Sequence, residues 1–392
     1  MPQIAFRAFD ADHHYYEAED AFTRHIEREF RQRCMQWAVV DGRKRFLVGG
    51  KLNQFIPNPT FDPVAKPGCL DEYFRGRNPE AKDMRGLFGQ LEPIAPEYRD
   101  RAAKLASLDR QGLDGCFLFP TLGVGMEESL KDDPAACVAA FRAFNRWLEE
   151  DWGFAHAGRI FAAPYFTLVD VDDAVRQLDW ALARGARLIC MRAAPIAHPS
   201  GSKSPAHALF DPFWARVAEA GVTLAYHSGD AGYNKFAAEW GVGGAFKSFE
   251  YDPLRSTLSA SSISDTLAAL VCHGVFERFP RLRVATIESG SDWVAPLMKK
   301  LRKTFGQMPR SFASDPVELF RRHVSVSPYY EDDLEALKAA IGADHVLFGS
   351  DWPHAEGLAV PTDFIHDLKG YDDDEVKLVM RDNALRLLAP AA

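Results

Sequence analysis

The chain has few thiols, and they lie far apart. It contains six cysteines in 392 residues, and none forms a Cys-x-x-Cys pair. Disulfide frameworks and thiolate zinc sites need cysteines in close, regular pairs. The spacing therefore argues against both and favours reduced, packed side chains in a cytoplasmic protein. The six are Cys34, Cys69, Cys116, Cys137, Cys190 and Cys272.

Long apolar runs and an excess of positive charge are also missing. The longest apolar runs fall short of the roughly 20 residues that cross a bilayer, and the opening MPQIAFRAFD has no secretory-signal pattern. The formal net charge is -9 and the pI about 5.8, which argues against nucleic acid or an anionic membrane as the main partner. We therefore expect a small-molecule substrate as the partner.

Short apolar runs and amphipathic helical stretches alternate through most of the chain. Each run is continuous rather than alternating, which is typical of parallel strands covered on both faces. Eight such units predict a single domain over residues 1–392 with the (β/α)8 TIM-barrel fold. The predicted strands span residues 3–11, 113–121, 158–168, 186–195, 222–229, 282–290, 323–329 and 345–353. The predicted helices span residues 133–152, 170–185, 211–221, 256–273, 292–306, 332–342 and 373–388.

A long insertion, residues 23–104, separates the first predicted strand from the second. Its Asp-Gly turn within VVDGRKRFLVGGKL (39–52) predicts a hairpin. The following FIPNPTFDPVAKPG (55–68) is rich in proline and asparagine. Segments of this length inside a barrel are usually functional. We therefore expect the insertion to act as a lid or a pocket wall.

Four predicted strands turn polar only at their C-terminal ends, where the active site of such a barrel lies. Strand one ends in Asp12 and His14, which are two residues apart and so project to one face. His13 should point away from that face. The ends of strands five, six and eight present His227, Glu288, Asp351 and, just beyond, His354.

Two imidazoles and two carboxylates at one barrel end suit a divalent ion such as Zn²⁺, Mn²⁺ or Fe²⁺. Such an ion lowers the pKa of bound water to about 7. Glu288 or Asp351 is then placed to accept the proton as a catalytic residue. Arg192, at the end of strand four, is a candidate for binding a substrate carboxylate, and His354 is a candidate for a substrate contact.

Several segments make the chain resemble the amidohydrolase-related branch of the amidohydrolase superfamily, which includes aminocarboxymuconate-semialdehyde decarboxylase-like enzymes. The resemblance implies a barrel, a divalent metal, hydrolysis or non-oxidative decarboxylation, and frequent dimerisation. It covers most of the chain apart from part of the insertion. The segments are DADHHYYE (10–17), FNRWL (144–148), YHSG (226–229), GVFERFPRLRVATIESGSDWVAPLM (274–298) and LFGSDWPHAEG (347–357).

The resemblance also implies particular ligands, with two departures from the usual pattern. The superfamily opens with His-x-His, whereas this chain has an acidic residue first, similar to an Asp-x-His-x-x-Glu subgroup that adds Glu17. The decarboxylases carry histidine at the end of strand six, where this chain has Glu288. A second ion could be held by Glu17, Glu288 and His354. The implied ligands of the first ion are Asp12, His14, His227 and Asp351.

Three functions follow as alternatives. The first is a metal-dependent hydrolase that cleaves an amide, ester or thioester of a small organic substrate, and the glutamate at strand six favours it. The second is a metal-dependent non-oxidative decarboxylase of an aromatic or unsaturated carboxylic acid, which is a lyase. The third is a non-catalytic binding barrel, against which the complete set of ligand-type residues argues.

Overall fold

Parallel strands run around a barrel, and each is buried along nearly its whole length. The computed structural model describes residues 4–243, 247–258 and 260–389. In chain order the strands are β1 (Ala8–Tyr15), β2 (Met35–Val40), β3 (Arg43–Val48), β4 (Lys51–Leu52), β5 (Leu113–Pro120), β6 (Ile160–Ala162), β7 (Tyr165–Phe166), β8 (Leu188–Arg192), β9 (Thr223–His227), β10 (Arg283–Ile287) and β11 (Val324–Val326).

The barrel strands form two parallel sheets that share the third strand of the barrel. One sheet has the order β1-β5-β6, and the other has the order β11-β10-β9-β8-β7. The chain between β6 and β7 connects them, because Ala163 N donates to Leu118 O and Cys190 N donates to Pro164 O. The predicted parallel barrel is thus confirmed, and its third strand is split into two short pieces.

The eighth segment closes the barrel without forming a regular strand, so the strand predicted at 345–353 is wrong in that detail. Among the described residues, its β-bridges to the neighbouring strands are isolated ones, Val326 with Val346 and His13 with Trp352. The barrel still closes, because backbone hydrogen bonds connect this segment to β11 on one side and to β1 on the other.

The reason for this irregularity is a buried carboxylate in β1. Asp10 accepts hydrogen bonds from Ser350 N at 3.0 Å and from Ser350 Oγ at 2.5 Å. The backbone of Asp351 then adopts a φ of +56°, which a ladder residue does not have. The side chain of Asp10 therefore replaces the ladder and turns the chain at the barrel mouth.

Helices cover the outside of the barrel. The α-helices are α1 (Asp71–Phe74), α2 (Met84–Phe88), α3 (Arg101–Arg110), α4 (Met126–Ser129), α5 (Pro134–Asp151), α6 (Val171–Leu182), α7 (Asp211–Ala220), α8 (Asn234–Glu239), α9 (Pro253–Thr257), α10 (Ser262–Cys272), α11 (Val275–Arg278), α12 (Val294–Gln307), α13 (Pro316–His323), α14 (Leu334–Ile341), α15 (Asp373–Lys377) and α16 (Asn383–Leu388). Short 3-10 turns lie at 28–30, 96–98, 123–125, 208–210, 309–311, 343–345 and 361–367, and a π turn joins α15 to α16 at 378–382.

The helix predicted at 256–273 is two helices in the structure. The first, α9, ends before Leu258, which has extended backbone angles. The second, α10, begins after Ser261, whose side chain accepts from Ser264 N as an N-terminal cap. Within the described part of the chain, no helix has the length and apolar character needed to cross a membrane.

The insertion forms the predicted hairpin and then lies across the barrel mouth. Strands β2 and β3 pair antiparallel around Asp41 and Gly42, which both have positive φ, as a two-residue hairpin turn requires. Further along, the Arg99 guanidinium donates to the carbonyls of Tyr16, Glu17 and Thr60. This arginine ties the insertion to the chain that leaves β1.

Replacing Gly115 in β5 by alanine tests whether neighbouring barrel strands are tightly packed. A Cβ at this position would lie 2.5 Å from Arg159 O and 2.8 Å from the Phe9 ring. We expect Gly115→Ala to lower the free energy of unfolding by about 1–3 kcal/mol, because overpacking forces backbone shifts. Urea unfolding monitored by circular dichroism measures this change.

The matched control is Gly306→Ala in α12, where a Cβ would meet nothing within 4 Å. This variant should keep or raise the free energy of unfolding, by up to about 1 kcal/mol. Equal unfolding midpoints for the two alanine variants would contradict the packing described for β5.

Candidate metal centre

The C-terminal ends of β1, β9 and β10 meet the closing segment at one point of the barrel mouth. There the side-chain nitrogen and oxygen atoms of six residues form two overlapping groups, within each of which all atoms lie within 4.8 Å of one another. The first group is Asp12, His14, His227 and Glu288, and the second is His14, Glu288, Asp351 and His354.

Two imidazole nitrogens lie at the centre of this cluster. His14 Nε2 is 3.2 Å from Asp12 Oδ1, 3.2 Å from Asp351 Oδ1 and 3.5 Å from Glu288 Oε2. His227 Nε2 is 3.3 Å from Glu288 Oε2 and 3.6 Å from Asp12 Oδ1. The proposed ligands from the first, fifth, sixth and eighth barrel segments are thus brought together.

Three of these atoms lack a hydrogen-bond partner within the described part of the chain. Asp12 Oδ1, His14 Nε2 and His227 Nε2 are buried, and none has a hydrogen-bond partner among the described residues. A buried polar atom without a partner is costly. A cation held between them would be a common partner for all three, so the donor set fits a divalent metal ion.

The tautomer of His227 also fits a ligand role. Its Nδ1 lies 2.8 Å from Ser228 O, and a carbonyl oxygen can only accept. Nδ1 therefore carries the hydrogen, and the lone pair of Nε2 faces the cluster. Metal-binding histidines are commonly oriented by such a bond from their second nitrogen.

Two of the carboxylates sit on strained backbone. Glu288 has a φ of +49° and Asp351 a φ of +56°, a region that residues with a side chain seldom adopt. Hydrogen bonds hold both in place, from Tyr329 Oη to Glu288 O at 2.9 Å and from Asp351 N to Asp12 O at 2.8 Å. Strain of this kind is concentrated at functional sites.

The charges of the cluster are poorly balanced by the protein itself. Burial raises the pKa of Glu288 and of Asp351 well above the usual range, and repulsion by neighbouring carboxylates adds to the effect. For Asp12, burial acts in the same direction, but the contacts with His14 and His227 outweigh it and lower the pKa to about 2. Carboxylates packed this closely favour a bound cation.

His354 lies beside the cluster in a chain of hydrogen bonds. Thr121 Oγ1 donates its one hydrogen to Tyr15 O at 2.8 Å, so His354 Nε2, 2.9 Å away, must donate to Thr121. The other nitrogen, Nδ1, lies 2.6 Å from Asp351 Oδ1. A proton is therefore shared between His354 and a carboxylate of the cluster.

Glu17 is not brought to the cluster. Its two carboxylate oxygens accept from the backbone amides of Leu122 and Gly123 at 2.9 Å. Burial raises its pKa to about 7, although these hydrogen bonds act in the opposite direction. Glu17 thus holds the loop that follows β5, and its oxygens are occupied there.

Arg192 is turned away from the cluster as well. Its guanidinium lies 2.5 Å from Glu128 Oε2 and 3.7 Å from Glu127 Oε2, and it donates to Pro195 O at 3.2 Å. The side chain is buried among these partners. Arg192 is therefore engaged in ion pairs, and a substrate carboxylate would have to compete with two glutamates for its guanidinium.

A buried lysine that the sequence pattern does not predict lies behind β1. Lys104 Nζ donates to His14 O at 2.7 Å and lies 3.2 Å from Nδ1 of His13, which points away from the cluster. Burial lowers the pKa of Lys104 to about 7. Its surroundings in RAAKLASLDR resemble an ordinary surface helix, so no local signal marks it.

A cavity of about 500 Å³ opens beside the cluster. His14, Glu288 and His354 form part of its wall, whereas the insertion and the segment after β9 form most of the rest. Six aromatic side chains contribute to the wall, as in many small-molecule sites. They are Tyr16, Phe55, Phe61, Phe88, Phe249 and Tyr251.

A barrel with clustered metal-ligand residues at the C-terminal ends of its strands defines the class of protein. The amidohydrolase family model matches residues 10–389, so the chain belongs to the amidohydrolase family, whose members are metal-dependent enzymes. It is similar to a crystal structure of an amidohydrolase from Mycobacterium avium subsp. paratuberculosis K-10. The two share 45% identity over 99% of this chain and 100% of the other, with a TM-score of 0.93.

More distant structures share the fold. One is 2,6-dihydroxybenzoate decarboxylase from Rhizobium, with 17% identity over 86% of this chain and 98% of the other and a TM-score of 0.59. Another is a dihydroxybenzoic acid decarboxylase from Polaromonas sp. JS666 with bound manganese and 2-nitroresorcinol, with 16% identity over 86% and 95% and a TM-score of 0.60. Similarity at this level shows the barrel fold alone.

Replacing both central histidines should abolish metal binding. We expect the purified protein to carry a divalent ion, and His14→Ala combined with His227→Ala to carry less than about a tenth of that amount, because two nitrogen ligands are lost. Plasma mass spectrometry of desalted protein measures the ion. The exposed His366→Ala serves as the control and should keep the full amount. A double variant with unchanged metal content would disprove the assignment.

Proposed function

We propose that the protein is a divalent-metal-dependent hydrolase that cleaves an amide, ester or thioester bond in a small, largely apolar substrate. The main observation in favour of this proposal is the position of Glu288. Its carboxylate lines the cavity and lies within 3.5 Å of both central imidazole nitrogens. A carboxylate between the substrate cavity and the ion is suited to accept a proton from water.

The remaining residues of the cluster support the same chemistry. Asp12, His14, His227 and Asp351 would hold the ion. When bound, a divalent ion polarises a carbonyl oxygen and makes water acidic enough to lose a proton near neutral pH. Glu288 would take that proton.

The leaving group needs a proton in return, and the proton that Glu288 accepts from water would supply it. His354 also lines the cavity, but its Nδ1 lies against Asp351 and its Nε2 donates to Thr121. Both nitrogens are thus engaged, and His354 would hold Asp351 in place beside the ion.

The insertion would shape the substrate site. Residues 55–58, 61 and 63–65 line the cavity, together with Phe88 and Leu91. We propose that it acts as a pocket wall that excludes water and binds the apolar part of the substrate. Exclusion of water strengthens the electrostatic interactions at the ion site.

Removal of the base tests the mechanism. We expect Glu288→Gln to lower kcat about 10²- to 10⁴-fold on whichever 4-nitrophenyl ester or anilide the wild-type protein cleaves, because the amide cannot accept the proton. Release of 4-nitrophenol or 4-nitroaniline gives the rate. Metal content should stay unchanged. Loss of metal from this variant would make Glu288 a ligand instead of the base.

Glu219→Gln provides the control, because Glu219 is an exposed residue outside the cavity. Its rate should equal that of the wild-type protein. A wild-type protein that carries metal but cleaves no ester, thioester or amide in a broad panel would contradict the proposed hydrolysis.

A second candidate is a non-oxidative decarboxylase, and Arg255 favours it. This arginine lines the cavity and its guanidinium donates to Gly243 O, but among the described residues the guanidinium forms no ion pair with a carboxylate. A guanidinium without an ion-pair partner suits a carboxylate substrate. Lys247 also lines the cavity, but it already pairs with Glu250 at 3.0 Å.

The products separate the two candidates. A hydrolase releases an acid and consumes water, whereas a decarboxylase releases CO₂ without a new acid. We expect no CO₂ from a panel of hydroxybenzoates and unsaturated acids, measured with a coupled carboxylase assay. Release of CO₂ that falls about tenfold or more in Arg255→Leu would establish the second candidate, because a charge-assisted bond to the substrate would be lost.

A further inference from the structure

Glu356 is a second cavity-lining carboxylate that the proposed mechanism does not use. It belongs to the loop that follows the closing segment and lines the cavity beside His354. It is not a member of either ligand cluster found among the described residues. Its Oε2 is buried and accepts no hydrogen bond from the described part of the protein.

Two hydroxyl donors near Glu356 are engaged with backbone oxygens. The Tyr16 hydroxyl donates to Pro353 O at 3.3 Å, and the Tyr330 hydroxyl donates to the backbone oxygen of Glu356 at 3.0 Å. Arg75 lies over the Tyr330 ring but pairs with Asp367. No Lys or Arg among the described residues forms an ion pair with Glu356. A buried carboxylate oxygen without a partner costs free energy unless a ligand supplies one.

The loop that carries Glu356 is held rigidly. Gly357 lies so close to the preceding chain that a Cβ would be 2.6 Å from the carbonyl oxygens of both Ser350 and Asp351. The insertion clamps the same loop, because Gly68 N donates to His354 O at 3.1 Å and Leu70 N donates to Ala355 O at 2.8 Å. The backbone that carries the carboxylate is therefore fixed beside the cavity, which limits the positions that the side chain can reach.

Aromatic rings surround the same part of the cavity. Tyr16 and Phe61 stack with ring centroids 4.6 Å apart, and both line the cavity, as does Tyr251. Electron-rich ring faces attract cations. A carboxylate combined with such rings suits a protonated amine better than an anion or a purely apolar group.

We propose that Glu356 is a specificity-determining residue that binds a protonated amine on the substrate. The apolar part of the substrate then lies against the aromatic wall, and its scissile bond faces Glu288. This inference rests on the proposed function for the location of the substrate, and it adds the chemical class of the substrate: a small amine with an apolar body.

Binding of three probes with one apolar body tests the inference. Isothermal titration calorimetry would use the metal-loaded protein with phenethylamine, 2-phenylethanol and 3-phenylpropanoate. We expect phenethylamine to bind about tenfold or more tightly than the alcohol, and the alcohol more tightly than the acid, because only the amine forms a charge-assisted bond with Glu356.

Variants of Glu356 test whether its carboxylate causes the preference for the amine. Glu356→Gln has the same shape and should reduce the affinity for phenethylamine to that for the alcohol, whereas Glu356→Asp should keep a weaker preference for the amine. Glu331→Gln is the matched control, because Glu331 also has a buried oxygen without a partner but lies outside this cavity. Its preference for the amine should be unchanged.

Several outcomes would overturn the inference. They are equal affinities for amine and alcohol, a preference that survives in Glu356→Gln, and loss of bound metal from that variant, which would make Glu356 a ligand. Failure of the proposed function would give a different experimental result. A protein that prefers the amine through Glu356 but hydrolyses no ester, thioester or amide would keep this inference and lose the hydrolase.

Discussion

The burial of carboxylates around two imidazoles at the barrel mouth is the constraint on which the rest of the site depends. Carboxylates packed within a few ångströms of one another repel, and burial removes the water that would screen them. Such an arrangement is stable only if the surrounding chain holds it in place or a cation neutralises it. Asp10 holds the turn beside Asp351, and Lys104 holds the carbonyl of His14 from behind. The site is therefore a product of the whole barrel end.

The insertion connects this site to the substrate. Its segment after the hairpin, from Phe55 to Leu91, provides much of the cavity wall, and Arg99, Gly68 and Leu70 attach it to the loops that follow β1 and the closing segment. The same contacts therefore position the cavity wall and the cluster. In a barrel, the loops at the C-terminal ends of the strands set specificity while the strands keep the chemistry in place.

Predictions from hydrophobic runs succeeded where burial alone decides the structure. The strands covered on both faces overlap the continuous apolar runs that predict them, although β1 spans Ala8–Tyr15 and not residues 3–11. The predictions failed where a side chain replaced a backbone partner: Asp10 breaks the ladder at Ser350, and the Ser261 cap divides the helix predicted at 256–273. The hydrogen bonds of Asp10 depend on a partner hundreds of residues away, and the division of the helix depends on one capping side chain. Hydrophobic periodicity predicts neither of them.

The barrel and the residue types at its strand ends can be predicted from the sequence, because strand periodicity and ligand chemistry are local properties. The roles of those residues depend on the tertiary structure. It gathers His14, His227 and Glu288 around one point, whereas the oxygens of Glu17 are bound to backbone amides and Arg192 is paired with glutamates. The roles of these residues depend on contacts between segments that are distant in the sequence. Each side chain binds the groups that the fold brings within its reach.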